Sequence, residues 1–142
     1  MASKKYTFAQ EISIQVVKTS PYDGQKPGTS GLRKKTTEAQ QPHYIENFVQ
    51  SIFSAIWTSD DLSTPNLLVV GGDGRYYNDI ACKKILKIAC AHNIDRVVIG
   101  QGGLLSTPAL SAMVRDFNTK SQNCLGGNKN LFPLFKHKKE SF

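Results

Sequence analysis

The densest chemistry in the chain lies in one loop, Gln25-Lys26-Pro27-Gly28-Thr29-Ser30-Gly31-Leu32-Arg33-Lys34-Lys35. Gly28 and Gly31 allow left-handed backbone, so that successive N–H groups can converge on one ligand. Thr29 and Ser30 add hydroxyl donors. Arg33 adds a planar fork that matches two phosphate oxygens at once, and the lysines add point charges. The chemistry suited to this set is the holding of an anion, phosphate first. A surface turn with a basic run behind it has the same composition, so the residues alone leave both readings open.

Two further glycine clusters follow, Gly71-Gly72-Asp73-Gly74-Arg75 and Gly100-Gln101-Gly102-Gly103. Neither is a dinucleotide fingerprint: counted from Gly72 the sixth position is Tyr77, and from Gly100 it is Leu105. No Walker-type Gly-Lys-Ser/Thr occurs. Asp73 is of the right type for catalysis or metal binding, but it is also placed to fix its own turn and pair with Arg75, and this structural role is the preferred one. His43, His92 and His137 stand singly with no metal-ligand spacing, and His92 reads as a partner for a helix C-terminus. Cys82, Cys90 and Cys124 have neither zinc spacing nor an even count. Cys82 and Cys90, two helical turns apart, read as small core residues. No catalytic residue and no metal ligand is assigned.

These loops need elements to hold them. Residues Glu11 to Thr19 alternate, with Ile12, Ile14 and Val16 on one side, and read as a strand. His43 to Trp57 carries Ile45, Phe48, Val49, Ile52, Phe53 and Ile56 at helical spacing, with Pro42 at the helix start. Leu67-Leu68-Val69-Val70 is an unbroken apolar run, which implies a strand covered on both faces and hence a parallel sheet. Asn78 or Asp79 is expected to cap a helix that buries Ala81, Ile85, Ile88 and Ala89. Arg96 to Gly100 reads as a strand ending in a glycine turn. A third helix opens at Ser106-Thr107-Pro108, with Thr107 as the expected cap and Leu110, Met113, Val114 and Phe117 as its buried stripe. The alternation predicts an α/β fold, three layers α/β/α around a small, mainly parallel sheet. Ligands in such sheets sit at the carboxyl ends of strands, where all three glycine loops would fall.

At 142 residues, 39% hydrophobic and 20% charged, the chain has the composition of one folded domain with a core. The expected division is a flexible N-terminus over 1–10, an α/β domain over 11–117 and a poorly ordered basic tail over 118–142. The net charge of +7 is unevenly spread: residues 1–117 hold 13 Lys/Arg against 10 Asp/Glu, and residues 118–142 hold 5 against 1. Most of the excess is therefore a property of the tail, which argues against nucleic acid as the partner of the body. Aromatic residues do not interleave the tail's cations as a stacking platform would require. No apolar run approaches the roughly 18 residues of a membrane span, and Met1 to Tyr6 has no apolar core of a secretory signal. The expected setting is a reduced, cytoplasmic one without a membrane partner.

Three segments taken together carry a resemblance: Lys26 to Lys35, Val69-Val70-Gly71-Gly72-Asp73-Gly74-Arg75-Tyr76-Tyr77, and Val98-Ile99-Gly100-Gln101-Gly102-Gly103-Leu104-Leu105-Ser106-Thr107-Pro108-Ala109-Leu110-Ser111. In order and spacing, over about Glu11 to Asp116, they resemble the first domain of the phosphoglucomutase family, within the α-D-phosphohexomutase superfamily. The resemblance implies interconversion of glucose 1-phosphate and glucose 6-phosphate through a phosphoserine, with Mg²⁺ and glucose 1,6-bisphosphate as cofactors. It assigns phosphate binding to Thr29, Ser30 and Arg33, with Arg33 acting as an electrostatic aid to phosphoryl transfer.

The departures concern the chemistry itself. The family's Thr-Ala-Ser-His-Asn-Pro motif, whose serine carries the phosphate, does not occur in the 142 residues. Ser106 and Ser111 match non-catalytic positions, and Ser121-Gln122-Asn123 lacks the histidine. The Asp-Gly-Asp-Gly-Asp-Arg metal pattern is also absent, so the implied Mg²⁺ has no ligands here. The expectation is a fragment inactive by itself, shortened either as a product or gene model in which residues 118–142 replace the authentic continuation, or as a paralogue. The abrupt change of composition favours the former. The alternative function is a sugar-phosphate-binding or regulatory module. Its partners would be a phosphorylated hexose, held weakly, or a full-length mutase.

Overall fold

The computed structural model describes residues 13–27, 32, 34–58, 65–120 and 124–125. The elements in chain order are α1 (Thr36–Ala39), α2 (Tyr44–Trp57), β1 (Leu67–Gly72), α3 (Asn78–Ala91), β2 (Arg96–Leu104), α4 (Thr107–Thr119) and β3 (Cys124–Leu125). The three strands form a parallel sheet in the order β2-β1-β3. Leu67, Leu68, Val69 and Val70 are all buried, as an apolar run in a central parallel strand requires. The strand's two-residue period sends them to opposite faces. Leu68 and Val70 meet Ile45, Val49 and Phe53 of α2 and Ala81, Ile85 and Ala89 of α3, whereas Leu67 and Val69 meet Leu110 and Val114 of α4. The architecture is α/β/α, as the alternation predicts.

The helices bury the expected stripes but begin differently. Ser106, not Thr107, caps α4: its backbone is still extended, and its hydroxyl accepts from the Ala109 N–H at 3.3 Å. Pro108 follows as the second helical residue, where its missing N–H costs nothing. Helix α3 has no side-chain cap at all, because Tyr77 occupies the cap position at φ 75° and Asn78 is already helical. The Asn78 amide instead donates to Gly103 O at 3.2 Å and ties α3 to β2. Helix α2 begins at Tyr44 after His43 at φ 58°, so Pro42 lies outside it. Cys82 is buried as expected, but Cys90 is exposed, because only the former lies on the face of α3 turned to the sheet.

Two segments depart from the sequence reading. Glu11 and Ile12 lie outside the described residues. Ser13 to Thr19 form no strand: no described segment runs beside them, so they have no ladder to join. Among the described residues the chain is tied down at their end, where the Thr19 hydroxyl donates to Asn47 Oδ1 and Asn47 Nδ2 donates to Ser20 O at 2.9 Å. In the second, β2 does not stop at Gly100. It continues to Leu104 through a bulge, so that Val70 pairs with Ile99 but Gly72 pairs with Leu104. The expected turn is thus part of the strand. Gly102 and Gly103 supply the positive φ, 63° and 77°, that folds the extra residues out. Across the expected boundary at 117, α4 runs on to Thr119, and Cys124 and Leu125 pair with Leu67 and Leu68.

The seam between α2 and α3 closes on His92, which follows α3. Its ring stacks on Phe53 at 4.9 Å between centroids and leans on Trp57 at 5.2 Å, and its Nε2 lies 2.9 and 3.1 Å from the two amide atoms of Gln50. Burial holds this imidazole below its ordinary value of 6.5. A base whose folded value is lowered is protonated first in the unfolded chain, so its contribution is complete above 6.5 and is lost as the pH falls below that. The urea midpoint is therefore expected to drop between about pH 7.5 and about pH 5.5, with most of the drop absent in His92→Gln. At the bulge, a Cβ on Gly100 would stand 1.9 Å from Leu104 O. Gly100→Ala is expected to cost about 1–3 kcal/mol in the same denaturation experiment.

Candidate functional site

The limbs of the 25–35 loop are fixed to the start of α2, on both sides of the residues expected to hold phosphate. On the incoming limb, the chain reverses at Gly24, φ 70°, with the Gln25 N–H donating to Tyr22 O at 3.2 Å. The Tyr22 hydroxyl donates to Pro42 O and Gln25 Nε2 donates to Tyr44 O, each at 2.6 Å. On the outgoing limb, Leu32 is 2% exposed and packs against Tyr44 and Phe48, with Tyr22 and Ile52 at the margin of the same cluster. The Tyr22 and Tyr44 rings lie 4.9 Å apart and tilted. Thr29, Ser30 and Arg33, the residues named from the sequence, lie outside the described residues, as do Gly28 and Gly31.

The sequence reading missed Tyr22, Gln25, Leu32 and Tyr44 as the frame of this loop. Leu32, a lone apolar residue inside a polar and basic loop, was the available signal, since such a residue gains by burial. The hydrogen bonds of Tyr22 and Gln25 to backbone carbonyls carry no periodic trace. Burial, and then the charge of Glu38, push the Tyr44 phenol up, with Gln25 opposing. Its hydroxyl is buried without a hydrogen-bond partner among the described residues.

The loops after β1 and β2 meet at the carboxyl edge of the sheet, as the sequence predicts. The Leu105 N–H donates to Gly72 O at 2.9 Å, and Asn78 bridges to Gly103. Asp73 takes its structural role: Oδ1 accepts from the Arg75 N–H at 3.4 Å, and Oδ2 lies 3.0 Å from Arg75 Nε. The first loop's outgoing limb reaches this edge through α1, where Gln40 Nε2 donates to the Tyr76 hydroxyl at 3.5 Å. Lys34 is paired with Glu38 at 3.6 Å. The lysines at 26, 34 and 35 thus flank a loop held on both sides beside the carboxyl edge, an arrangement fit to hold an anion.

The described residues do not fit a Mg²⁺ ion. No group of three or more His, Cys, Asp or Glu gathers among them. Glu38, Glu46, Asp73, Asp79 and Asp116 are each paired with a lysine or arginine within 4 Å. Among the candidate hydroxyls, Ser106 is engaged as a helix cap, Ser111 lies within α4 and Ser121 is outside the described residues. Nor is any described helix long and apolar enough to cross a membrane.

Comparison with known proteins agrees with this geometry. The family model for phosphoglucomutase/phosphomannomutase, alpha/beta/alpha domain I, matches residues 24–130, running past Asp116 through α4 and β3. The chain is 58% identical over 109 residues to phosphoglucomutase-2 of Paramecium tetraurelia, a match covering 77% of this chain and 19% of that one. It is 57% identical over 105 residues to a cytoplasmic phosphoglucomutase of Mesembryanthemum crystallinum, covering 74% and 18%. The solved open form of the exocytosis-sensitive phosphoprotein pp63/parafusin (phosphoglucomutase) from Paramecium superposes with a TM-score of 0.69 at 55% identity, over 75% of this chain and 19% of that one. The chain thus spans about a fifth of the length of the relatives it matches. By motif, sheet order and these matches, it belongs to the phosphoglucomutase/phosphomannomutase family, whose α/β/α domain I it represents.

Proposed function

We infer that this chain is the phosphate-holding part of a phosphoglucomutase and that its 142 residues bind a hexose phosphate without turning it over. The family reaction, glucose 1-phosphate to glucose 6-phosphate in carbohydrate metabolism, is the context in which the loop acts, and the cytoplasm is the compartment, after the naming of the plant relatives. The observation that carries this reading is the fastening of both limbs of the loop: Tyr22 and Gln25 hold one and buried Leu32 the other. A loop held in this way binds an anion at lower entropic cost than a free one. In it, Thr29 and Ser30 donate to phosphate oxygens, and Arg33 engages two of them side by side.

Transfer requires more than this grip. A nucleophile must accept the phosphoryl group and other groups must orient the sugar, and proximity supplies much of the rate in such reactions. The Ser-His-Asn motif that would provide the nucleophile is missing from the sequence. When bound in the family, Mg²⁺ supplies charge neutralisation at the phosphoryl group. Five of the described carboxylates, Glu38, Glu46, Asp73, Asp79 and Asp116, are paired with cations instead, and no step is assigned to the ion.

Two measurements test the reading. A coupled assay with glucose 1-phosphate is expected to show no glucose 6-phosphate above the no-protein control, and sustained turnover would refute inactivity. In an amide NMR titration with glucose 6-phosphate, shifts are expected to be confined to Thr29–Lys35. Arg33→Ala should weaken that binding by more than tenfold, from the loss of charged hydrogen bonds worth about 1.5–3 kcal/mol. Arg33→Lys should recover part of it as a point charge without the fork. An absence of shifts at millimolar ligand would end the phosphate-holding reading.

A further inference from the structure

Two apolar surfaces lack a partner among the described residues, and they fit one another. The first is Ser13 to Lys18, an alternating segment in which Ile14 is 58% exposed and Val16 is 94% exposed. The second is the outer edge of β2. In the order β2-β1-β3, β2 is an edge strand, so the backbone groups on its outer side have no ladder among the described residues. Val97 packs at the margin of the cluster formed by α2 and α3. Ile99, two residues on and therefore on the same face, is exposed. Helix α3 adds an apolar ledge above that edge. Lys84 turns toward α2, where it pairs with Glu46 at 2.8 Å. Leu86 lies about 200° around the helix from Lys84, on the flank away from α2, and is likewise exposed. Leu68 and Val70 of β1 are fully covered while Val97 and Ile99 are not, which places α2 over the β1 side of α3 and leaves the β2 side open.

We propose that residues 13–18 of one copy of this chain add to the β2 edge of a second copy as an antiparallel strand, and that the exchange is reciprocal, giving a two-fold dimer. The register is set by side-chain chemistry. With Val16 opposite Val97, Ile14 falls opposite Ile99, so four β-branched residues share one face beneath Leu86. Lys18 then falls opposite Asp95, and neither has an ion pair among the described residues. Cross-strand β-branched pairs and opposite charges are the combinations that stabilise antiparallel neighbours. Ser13 and Gln15 alternate with the apolar residues along the same strand.

The partner is a second copy because the segment cannot reach its own edge. Thr19 and Ser20 are held on α2 by Asn47, with α3 between α2 and the open edge. The path must cover the helix-to-helix spacing of about 8–10 Å and then the remaining half-width of α3. The three residues from Val16 to Thr19 span at most about 11 Å fully extended, which falls short of that path. Between two copies the same contact is made twice, as a closed two-fold interface requires. Pairing at an exposed edge is also the way strand-forming segments are most often captured.

Sedimentation velocity over a concentration series tests this on the full 142-residue chain. The expected result is a monomer–dimer equilibrium. Ile14→Lys and Ile99→Lys should each weaken it at least about tenfold, while circular dichroism stays unchanged because both side chains are exposed. Lys18→Asp and Asp95→Lys should each weaken the dimer, and the double exchange should restore it. A wild-type chain that stays monomeric throughout would overturn the proposal, as would a dimer indifferent to Ile14→Lys, or failure of the charge exchange to restore it.

Discussion

The fold depends on one strand being covered from both sides. Leu67, Leu68, Val69 and Val70 leave none of their side chains to water, and each apolar side chain fully buried is worth about 1.5–3 kcal/mol. Two helices are needed on one face and one on the other to achieve this, so the burial of β1 dictates where α2, α3 and α4 sit. Once they are placed, the connections after β1 and β2 emerge at the same edge. The glycines there answer to close approach: a Cβ on Gly72 would meet the Asn78 amide, and one on Gly100 would meet the backbone of Leu104. The polar edge of the molecule is thus a consequence of its apolar centre.

The 25–35 loop is attached to this centre through a small cluster of its own. Leu32, Tyr44 and Phe48 form a core separate from the two that clasp β1, and helix α2 links it to the one that also holds α3. Tyr44 begins α2 on one side of the loop, and its carbonyl accepts from Gln25 on the other. A change in the seating of α2 would therefore be felt at the loop directly. The His92 stack sits at the opposite end of the same helix, so one element spans the protonation-sensitive seam and the anchor of the loop.

The sequence was legible where burial imposes a period. The continuous run in β1 and the stripes of α2 and α4 follow from which residues can face a core, and the parallel sheet follows from the run. It was less legible where one hydrogen bond decides. Ser106 and Thr107 are equally good caps by type, and only the backbone shows that the helix begins between them. Asn78 has the chemistry of a cap but spends its amide on Gly103. The strand expected from Glu11 failed for another reason: alternation records that a segment could pair, whereas pairing needs a neighbour. The loop carries a motif in its sequence but its frame leaves no such trace, because Tyr22 and Gln25 act on carbonyls, which every residue possesses.

An α/β/α scaffold thus fastens both limbs of the 25–35 loop in a sequence without the family's phosphate-carrying serine motif. The role proposed for that loop is to hold a phosphoryl group and pass none on. A phosphorus-31 NMR spectrum of glucose 1,6-bisphosphate mixed with the purified chain examines both halves at once. Broadened resonances of the intact bisphosphate are expected, with no protein-borne phosphoester signal and no monophosphate product. A new phosphoserine resonance growing at the expense of the bisphosphate would contradict it, and so would ligand lines as sharp as those in buffer.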